Sequence, residues 1–408
     1  MAATFVIVGG GLAGAKAAEA LRAEGYDGPL VLISSERELP YERPPLSKEY
    51  LRGEVDREEP RVHPASFYEE KEIELWLGTT VESIDLRSRE LEIRGGERIG
   101  WERLLLATGA EPRRLPIPGA ELEGVRYLRD LDDSDALREA IQSGARLAVI
   151  GAGWIGAEVA ASARQLGAEV TLLERASLPL EHVLGSRASE YYADLHRSHG
   201  VDLRLGVEIE RIAGEGRVEA VELAGGERVE CDLVVIGVGV APRTELAEQA
   251  GIEVENGVLV SESLETSAPG VFAVGDIANA EHPFYGRRLR VEHWANALNQ
   301  PEVAARAMLG RPASYDRLPY FFSDQYDSGM EYAGFAPEFD EVVLRGEPDD
   351  GEFIAFWLHE GRVVAGMNVN IWDVTDTIQA IIRSRREIPP DQLRDPGTPL
   401  EELVGTAA

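Results

Sequence analysis

Short apolar runs, each closed by a glycine-rich turn, punctuate this chain. Phe5-Val6-Ile7-Val8 runs into Gly9-Gly10-Gly11-Leu12-Ala13-Gly14, and a helical stretch to about Arg22 leads to a second run, Leu30-Val31-Leu32-Ile33. Uninterrupted apolar runs of this length, bounded by glycine, are the pattern of parallel strands covered on both faces. The same order returns later. Leu147-Ala148-Val149-Ile150 enters Gly151-Ala152-Gly153-Trp154-Ile155-Gly156, a helix runs to about Leu166, and Glu169-Val170-Thr171-Leu172-Leu173-Glu174 follows. A hairpin signal and another apolar strand come after each copy, ending in Ala107-Thr108-Gly109 and in Gly237-Val238-Gly239. Beyond about residue 319 the pattern changes to alternating runs (Glu341 to Leu344, Phe353 to Trp357, Val363 to Met367), which predict a three-stranded antiparallel sheet. A helix from about Thr375 places Ile378, Ile381 and Ile382 on one face. The chain therefore reads as an α/β protein with two Rossmann-like dinucleotide-binding domains and a C-terminal α+β domain.

Both glycine turns have G-x-G-x-x-G spacing, at Gly9, Gly11 and Gly14 and at Gly151, Gly153 and Gly156. Between a strand and a helix, the first glycine permits a tight turn. The second lets the backbone approach a pyrophosphate, and the third lets helix and strand pack closely. The helix N-terminus then offers free N–H groups to the phosphates. Two such units in one chain predict two dinucleotide sites. Glu174 closes its strand at about the 20-residue spacing where a carboxylate accepts bonds from a ribose 2′-hydroxyl. That carboxylate would oppose the 2′-phosphate of NADPH, so NADH is expected, although neighbouring Arg175 could greet a phosphate. In the first copy Ser34-Ser35-Glu36 holds the equivalent strand end.

Composition narrows the options. The net charge of −32 disfavours nucleic acid and anionic membranes as general partners. No apolar run reaches 18 residues, and Phe5 to Val8 leaves little room for a targeting segment, so a cytoplasmic protein is expected. The single cysteine, Cys231, excludes a disulfide framework and reads as a buried thiol. The seven histidines show no ligand spacing, and no metal site is predicted. Only three of 41 basic residues are lysines: Lys16, Lys48 and Lys71. Lysine at a chemically suggestive place is therefore conspicuous.

With these motifs placed, the chain resembles the FAD-dependent pyridine-nucleotide oxidoreductases, which are glutathione-reductase-like in fold. More narrowly, it is similar to the ferredoxin reductases of oxygenase systems. The likeness rests on Pro40-Tyr41-Glu42-Arg43-Pro44-Pro45-Leu46-Ser47-Lys48, Ala107-Thr108-Gly109, and the run from Thr266 through Gly275-Asp276. It rests also on Glu292-His293-Trp294-Ala295-Asn296-Ala297 and Phe322-Ser323-Asp324-Gln325-Tyr326. The resemblance implies a split FAD domain, residues 1–112 and 247–318, an NADH domain at 113–246, and a C-terminal domain at 319–408 that shapes the acceptor site. It implies that Asp276 holds a ribityl hydroxyl, and that Ala13, Arg43, Lys48, Val81, Arg129 and Trp294 line the flavin. Ala107, Thr108, Gly109 and Glu292 join the FAD contacts, and Ile155, Gly237 and Gly239 join the NADH contacts. It implies further that Lys48 and Glu158, on the first helical turn after Gly156, pair beside the flavin as the catalytic centre. Three positions depart from the family pattern. Ser35 stands where an acid is frequent, so the ribose contact passes to Ser35 or Glu36. His182 replaces a common arginine on the NADH side, and Arg243 replaces an asparagine.

The disulfide reductases of this superfamily carry Cys-x4-Cys near Pro40 to Lys48, and the peroxidases carry one cysteine there. This chain has neither. Electrons arriving as a hydride must then leave from the flavin itself, which suits a one-electron iron–sulfur partner, a ferredoxin or rubredoxin. A quinone, small-molecule or oxygen acceptor is the alternative. A third reading is a redox-signalling flavoprotein resembling apoptosis-inducing factor, which the charge of −32 disfavours. An acidic ferredoxin would need a local basic patch for docking, for which Arg383, Arg385, Arg386, Arg287, Arg288 and Arg290 are candidates.

Overall fold

The computed structural model describes residues 4–405. The chain forms two compact units, one made of residues 1–42, 58–111 and 240–319, the other of 43–57, 112–239 and 320–408.

In the first unit, strand β1 (Phe5–Val8) is central in a five-stranded sheet. Strands Leu30–Ile33 and Arg103–Leu106 flank it, with Ile73–Trp76 and Val271–Ala273 at the edges, and every pairing is parallel. β1 and Leu30–Ile33 are buried at every position, as their apolar runs predict. Helix α1 (Leu12–Ala23) turns Ala13, Ala17, Ala18 and Leu21 into the core, and helix Trp294–Met308 packs beside it.

The second unit repeats the plan. β2 (Leu147–Ile150) pairs in parallel with Val170–Leu173 and Leu233–Ile236, and α2 (Trp154–Gln165) follows it. Helix α3 (Glu181–Ser198) is kinked at Gly185 and lays Leu184, Ala188 and Tyr192 on the C-terminal sheet. That sheet has five antiparallel strands, not three. They are β3 (Tyr320–Gln325), β4 (Ser328–Gly334), β5 (Glu341–Glu347), β6 (Glu352–His359) and β7 (Arg362–Val369), in the order β3-β4-β7-β6-β5. The three expected strands are β5, β6 and β7. Helix α4 (Thr375–Ser384) buries Ile378, Ile381 and Ile382 as expected. Cys231 is buried, and desolvation pushes its thiol up to about 12.

One buried group gives the fold an acid limit. His196 of α3 is 0% exposed, its Nδ1 lies 3.2 Å from the Tyr326 hydroxyl, and burial pushes its pKa down to about 4. The unfolded chain protonates near 6.5, so the unfolded state binds the proton first. This contribution is fully present above pH 6.5 and is lost as pH falls toward 4, amounting to about 3 kcal/mol. We expect His196→Gln to flatten the fall in Tm between pH 7 and pH 5. An unchanged slope would assign that fall to other groups.

Candidate functional site

The first glycine turn has the geometry its spacing predicts. Gly9 has φ +124°, and a Cβ there would lie 2.1 Å from the Ala107 carbonyl oxygen. A Cβ on Gly14 would lie 1.9 Å from the Gly9 carbonyl oxygen, so only glycine lets α1 start this close to β1. Gly11 is the N-cap of α1, with no side chain capping it and nothing within 4 Å of where a Cβ would stand. The backbone thus presents open space at a helix N-terminus, which fits a pyrophosphate. The neighbouring Gly275-Asp276 turn closes on the same place. A Cβ on Gly275 would meet Ala13 at 3.2 Å, and the Gly275 N–H donates to Gln300 Oε1 at 2.7 Å.

Around this turn the first unit gathers Gly9, Ala13, Gly14, Ala107 and Thr108 with the segment holding Asp276. Thr108 Oγ1 donates to the Arg243 carbonyl at 2.9 Å, next to Gly109. Ser35 is exposed at its strand end. The Glu36 carboxylate accepts the hydroxyl of Tyr41, a buried residue of the Pro40 to Lys48 motif. Trp294 opens its helix and donates its indole N–H to Glu42 Oε2 at 2.9 Å. Val81 is buried in the core, whereas Glu292 is exposed and pairs with Arg290 at 2.7 Å. Arg290 is only 7% exposed, and Arg288 pairs with Glu281 at 2.8 Å, so these two do not form an unneutralised basic patch. Arg383, Arg385 and Arg386 are exposed at the end of α4.

The second turn matches the first. Gly151 has φ +98° and a Cβ would lie 2.5 Å from the Gly237 carbonyl oxygen; one on Gly156 would lie 2.0 Å from that of Gly151. Gly153, the N-cap of α2, again faces open space. Glu174 is fastened to the turn itself, accepting the Ala152 N–H at 2.6 Å on Oε2 and the Ala176 N–H at 2.8 Å on Oε1. Ile155 is 46% exposed, and Arg175, His182 and Gly239 are exposed as well.

Also in the second unit, Lys48 and Glu158 meet. Nζ of Lys48 lies 3.0 Å from Glu158 Oε2, and the two side chains are 5% and 4% exposed. Glu158 is the fifth residue of α2, hence on its second turn and not the first. Lys48 ends the 3-10 turn Pro44–Ser47, also donates to the Pro44 carbonyl at 3.0 Å, and faces the Phe322 ring at 5.6 Å. Two serines clamp that turn from behind: Ser134 Oγ donates to the Leu46 carbonyl at 2.8 Å, and Ser162 Oγ to that of Ser47 at 2.6 Å. Arg43 Nη1 donates to the Arg129 carbonyl. Burial raises the Asp324 carboxyl above its usual range; Lys48 nearby opposes that shift and Glu158 adds to it.

Sequence reasoning missed Ser47, Ser323, Glu42 and Tyr41 as partners of the named residues. All four lie inside quoted motifs, but a serine at 1–2% exposure carries no pattern of its own.

Residues 3–301 match the model of the pyridine nucleotide-disulphide oxidoreductases, and residues 320–404 match that of the reductase C-terminal domain. The chain is 36% identical to putidaredoxin reductase of Pseudomonas putida, covering 98% of this chain and 97% of the relative. It is 40% identical to the ferredoxin reductase subunit of the 5,5′-dehydrodivanillate O-demethylase of Sphingobium sp., covering 98% of each. Among solved structures, the covalent putidaredoxin reductase–putidaredoxin complex superposes with a TM-score of 0.95 at 36% identity, over 99% of both chains. A ferredoxin reductase of Rhodopseudomonas palustris gives the same score at 38% identity, over 98% of this chain and 100% of that one. Two glycine turns built alike, a C-terminal antiparallel sheet, and matches along nearly the whole length lead to one assignment: the chain belongs to the pyridine nucleotide-disulphide oxidoreductase family.

Proposed function

We propose that this chain is an NADH-dependent FAD enzyme that passes electrons to a small ferredoxin or rubredoxin serving an oxygenase. The observation that carries the reading is the pair of glycine turns, each open at its middle glycine, in a chain whose single cysteine is buried far from either turn in sequence. Its relatives, named as a putidaredoxin reductase and as the ferredoxin reductase subunit of an O-demethylase, support it. FAD occupies the domain formed by residues 1–112 and 247–318, NADH the domain at 113–246, and the domain at 319–408 meets the acceptor. The cytoplasm is its place; among the described residues no helix is long and apolar enough to cross a membrane.

Bound FAD supplies acceptance of a two-electron hydride and release of single electrons. The protein's own groups bind and orient. Gly11 and Gly153 would let pyrophosphates reach the helix N-termini, and Asp276, with Ser35 or Glu36, would accept from cofactor hydroxyls. Glu174, fixed by two backbone N–H groups, accepts a ribose hydroxyl and opposes a 2′-phosphate. Lys48 would offer a compact positive charge to a bound flavin, and Glu158, paired with it, would fix its direction.

Purified enzyme should use NADH with at least about a tenfold advantage in kcat/KM over NADPH, which needs only about 1.4 kcal/mol. With NADH it should reduce a ferredoxin faster than a quinone or oxygen. Equal use of both nucleotides would overturn the role of Glu174 and point to Arg175. Preference for a quinone would overturn the acceptor.

A further inference from the structure

Glu158 is held from three sides, and one of those holds comes from the C-terminal domain. Its Oε2 accepts from Lys48 Nζ at 3.0 Å and from Ser47 Oγ at 2.5 Å. Its Oε1 accepts from Ser323 Oγ at 2.7 Å. Ser323 lies in β3, is 2% exposed, and itself accepts from the Gln325 carboxamide at 3.3 Å. Without Ser323, one oxygen of a buried carboxylate would lose its hydroxyl donor, although a buried charge persists only where its lone pairs are satisfied. Lys48 and Ser47 both sit on the same oxygen, so they hold the carboxylate through one oxygen only. The bond from Ser323 holds the second oxygen and so fixes the plane of the group more tightly.

We propose that Ser323 is a positioning residue for the Lys48–Glu158 pair: the C-terminal domain, beyond meeting the acceptor, completes the centre that receives the hydride. Ser323 works through Glu158, to which its hydroxyl donates. It acts by fixing the plane of the Glu158 carboxylate and thereby the place of the Lys48 ammonium. Its O–H dipole also offsets part of the carboxylate's negative charge. The inference rests on the reading that FAD lies beside Lys48.

That dependence sets the experiment. Ser323→Ala deletes the donor and Ser323→Thr retains it. Ser328→Ala is a matched control, because Ser328 is also buried, on the next strand, and its hydroxyl accepts from Tyr191 at 2.8 Å without touching Glu158. Glu158→Gln reports on the reading beneath. Each FAD-loaded variant is reduced with NADH by stopped flow, and its flavin midpoint potential is measured by dye equilibration. Ser323→Ala should slow flavin reduction at saturating NADH at least fivefold with the Kd for NADH unchanged. It should also move the potential to a more negative value, because the carboxylate's charge is then less offset. Ser323→Thr should restore both, and Ser328→Ala should leave both within twofold or unshifted. If Ser323→Ala behaves as wild type while Glu158→Gln moves the potential, the positioning role is wrong and the reading stands. If Glu158→Gln moves neither quantity, the placement of FAD beside the pair falls, and this inference with it. Equal losses in Ser323→Ala and Ser328→Ala would show a general packing effect and overturn the proposal.

Discussion

Gly153→Val should give a folded, FAD-loaded protein whose kcat/KM for NADH is lower by about two to three orders of magnitude, corresponding to about 3–4 kcal/mol of lost binding. The backbone at Gly153 has φ −76° and ψ −178°, which valine adopts readily, and no atom lies within 4 Å of the new Cβ. The protein itself has room for the side chain, and the pyrophosphate would not. Thermal stability should therefore stay close to wild type while NADH binding fails. Gly11→Val is the mirror experiment: φ −88°, open space, an intact apoprotein and lost FAD. Gly156→Val must behave differently, since its Cβ would stand 2.0 Å from a backbone oxygen and the fold would suffer directly. The measurements are bound FAD per chain, Tm and NADH titration. If Gly153→Val kept full NADH efficiency, the second turn would not be the nucleotide site.

The second large effect concerns the buried ion pair. Lys48→Met leaves the Glu158 carboxylate with only two serine hydroxyls, and Glu158→Gln leaves the Lys48 ammonium with the Pro44 carbonyl and the Phe322 ring. Each single change strands a charge at 4–5% exposure, an arrangement that costs about 3–5 kcal/mol. The double variant strands none. We expect each single variant to slow hydride transfer about a hundredfold and the double variant to be no worse than the poorer single. The coupling should then exceed about 1.4 kcal/mol. Stopped-flow flavin reduction across the four proteins of the cycle measures it. Small, strictly additive effects would remove the pair from the mechanism.

Much of the architecture was legible because its signals are local. A strand buried on both faces, such as Leu147–Ile150, is an unbroken apolar run, and the turn that follows must contain glycine where backbones touch. The C-terminal sheet was less legible for equally physical reasons. In β4 six of seven residues are buried, so no alternation marks it as a strand. The two-residue turn joining β3 to β4 puts Tyr326 at φ +58°, where a glycine or asparagine would have announced a hairpin. At the site, Lys48 was conspicuous because lysine is scarce here. Ser323 was not, since its importance depends on a partner 165 positions away in the chain. Arg290 was expected on the surface because arginine usually is. A bond to the Asp276 carbonyl at 3.2 Å and the pairing with Glu292 keep it at 7% exposure.

The parallel sheet around β1 depends on a strand supplied very late. Val271–Ala273 pairs with Arg103–Leu106, yet more than 160 residues of other structure separate them in the chain. During synthesis, Leu104, Leu105 and Leu106 therefore emerge as an apolar strand with one open edge. The whole second nucleotide fold, ending its sheet at Ile236, leaves the ribosome before the closing strand does. An open apolar edge is a template for pairing with another chain. The nascent protein is thus most vulnerable to misassembly while its second nucleotide fold is already formed and the first is still open, and slow translation between residues 236 and 271 would lengthen that interval. Chaperone demand in this protein should track the N-terminal half of the sequence, although that half is made first.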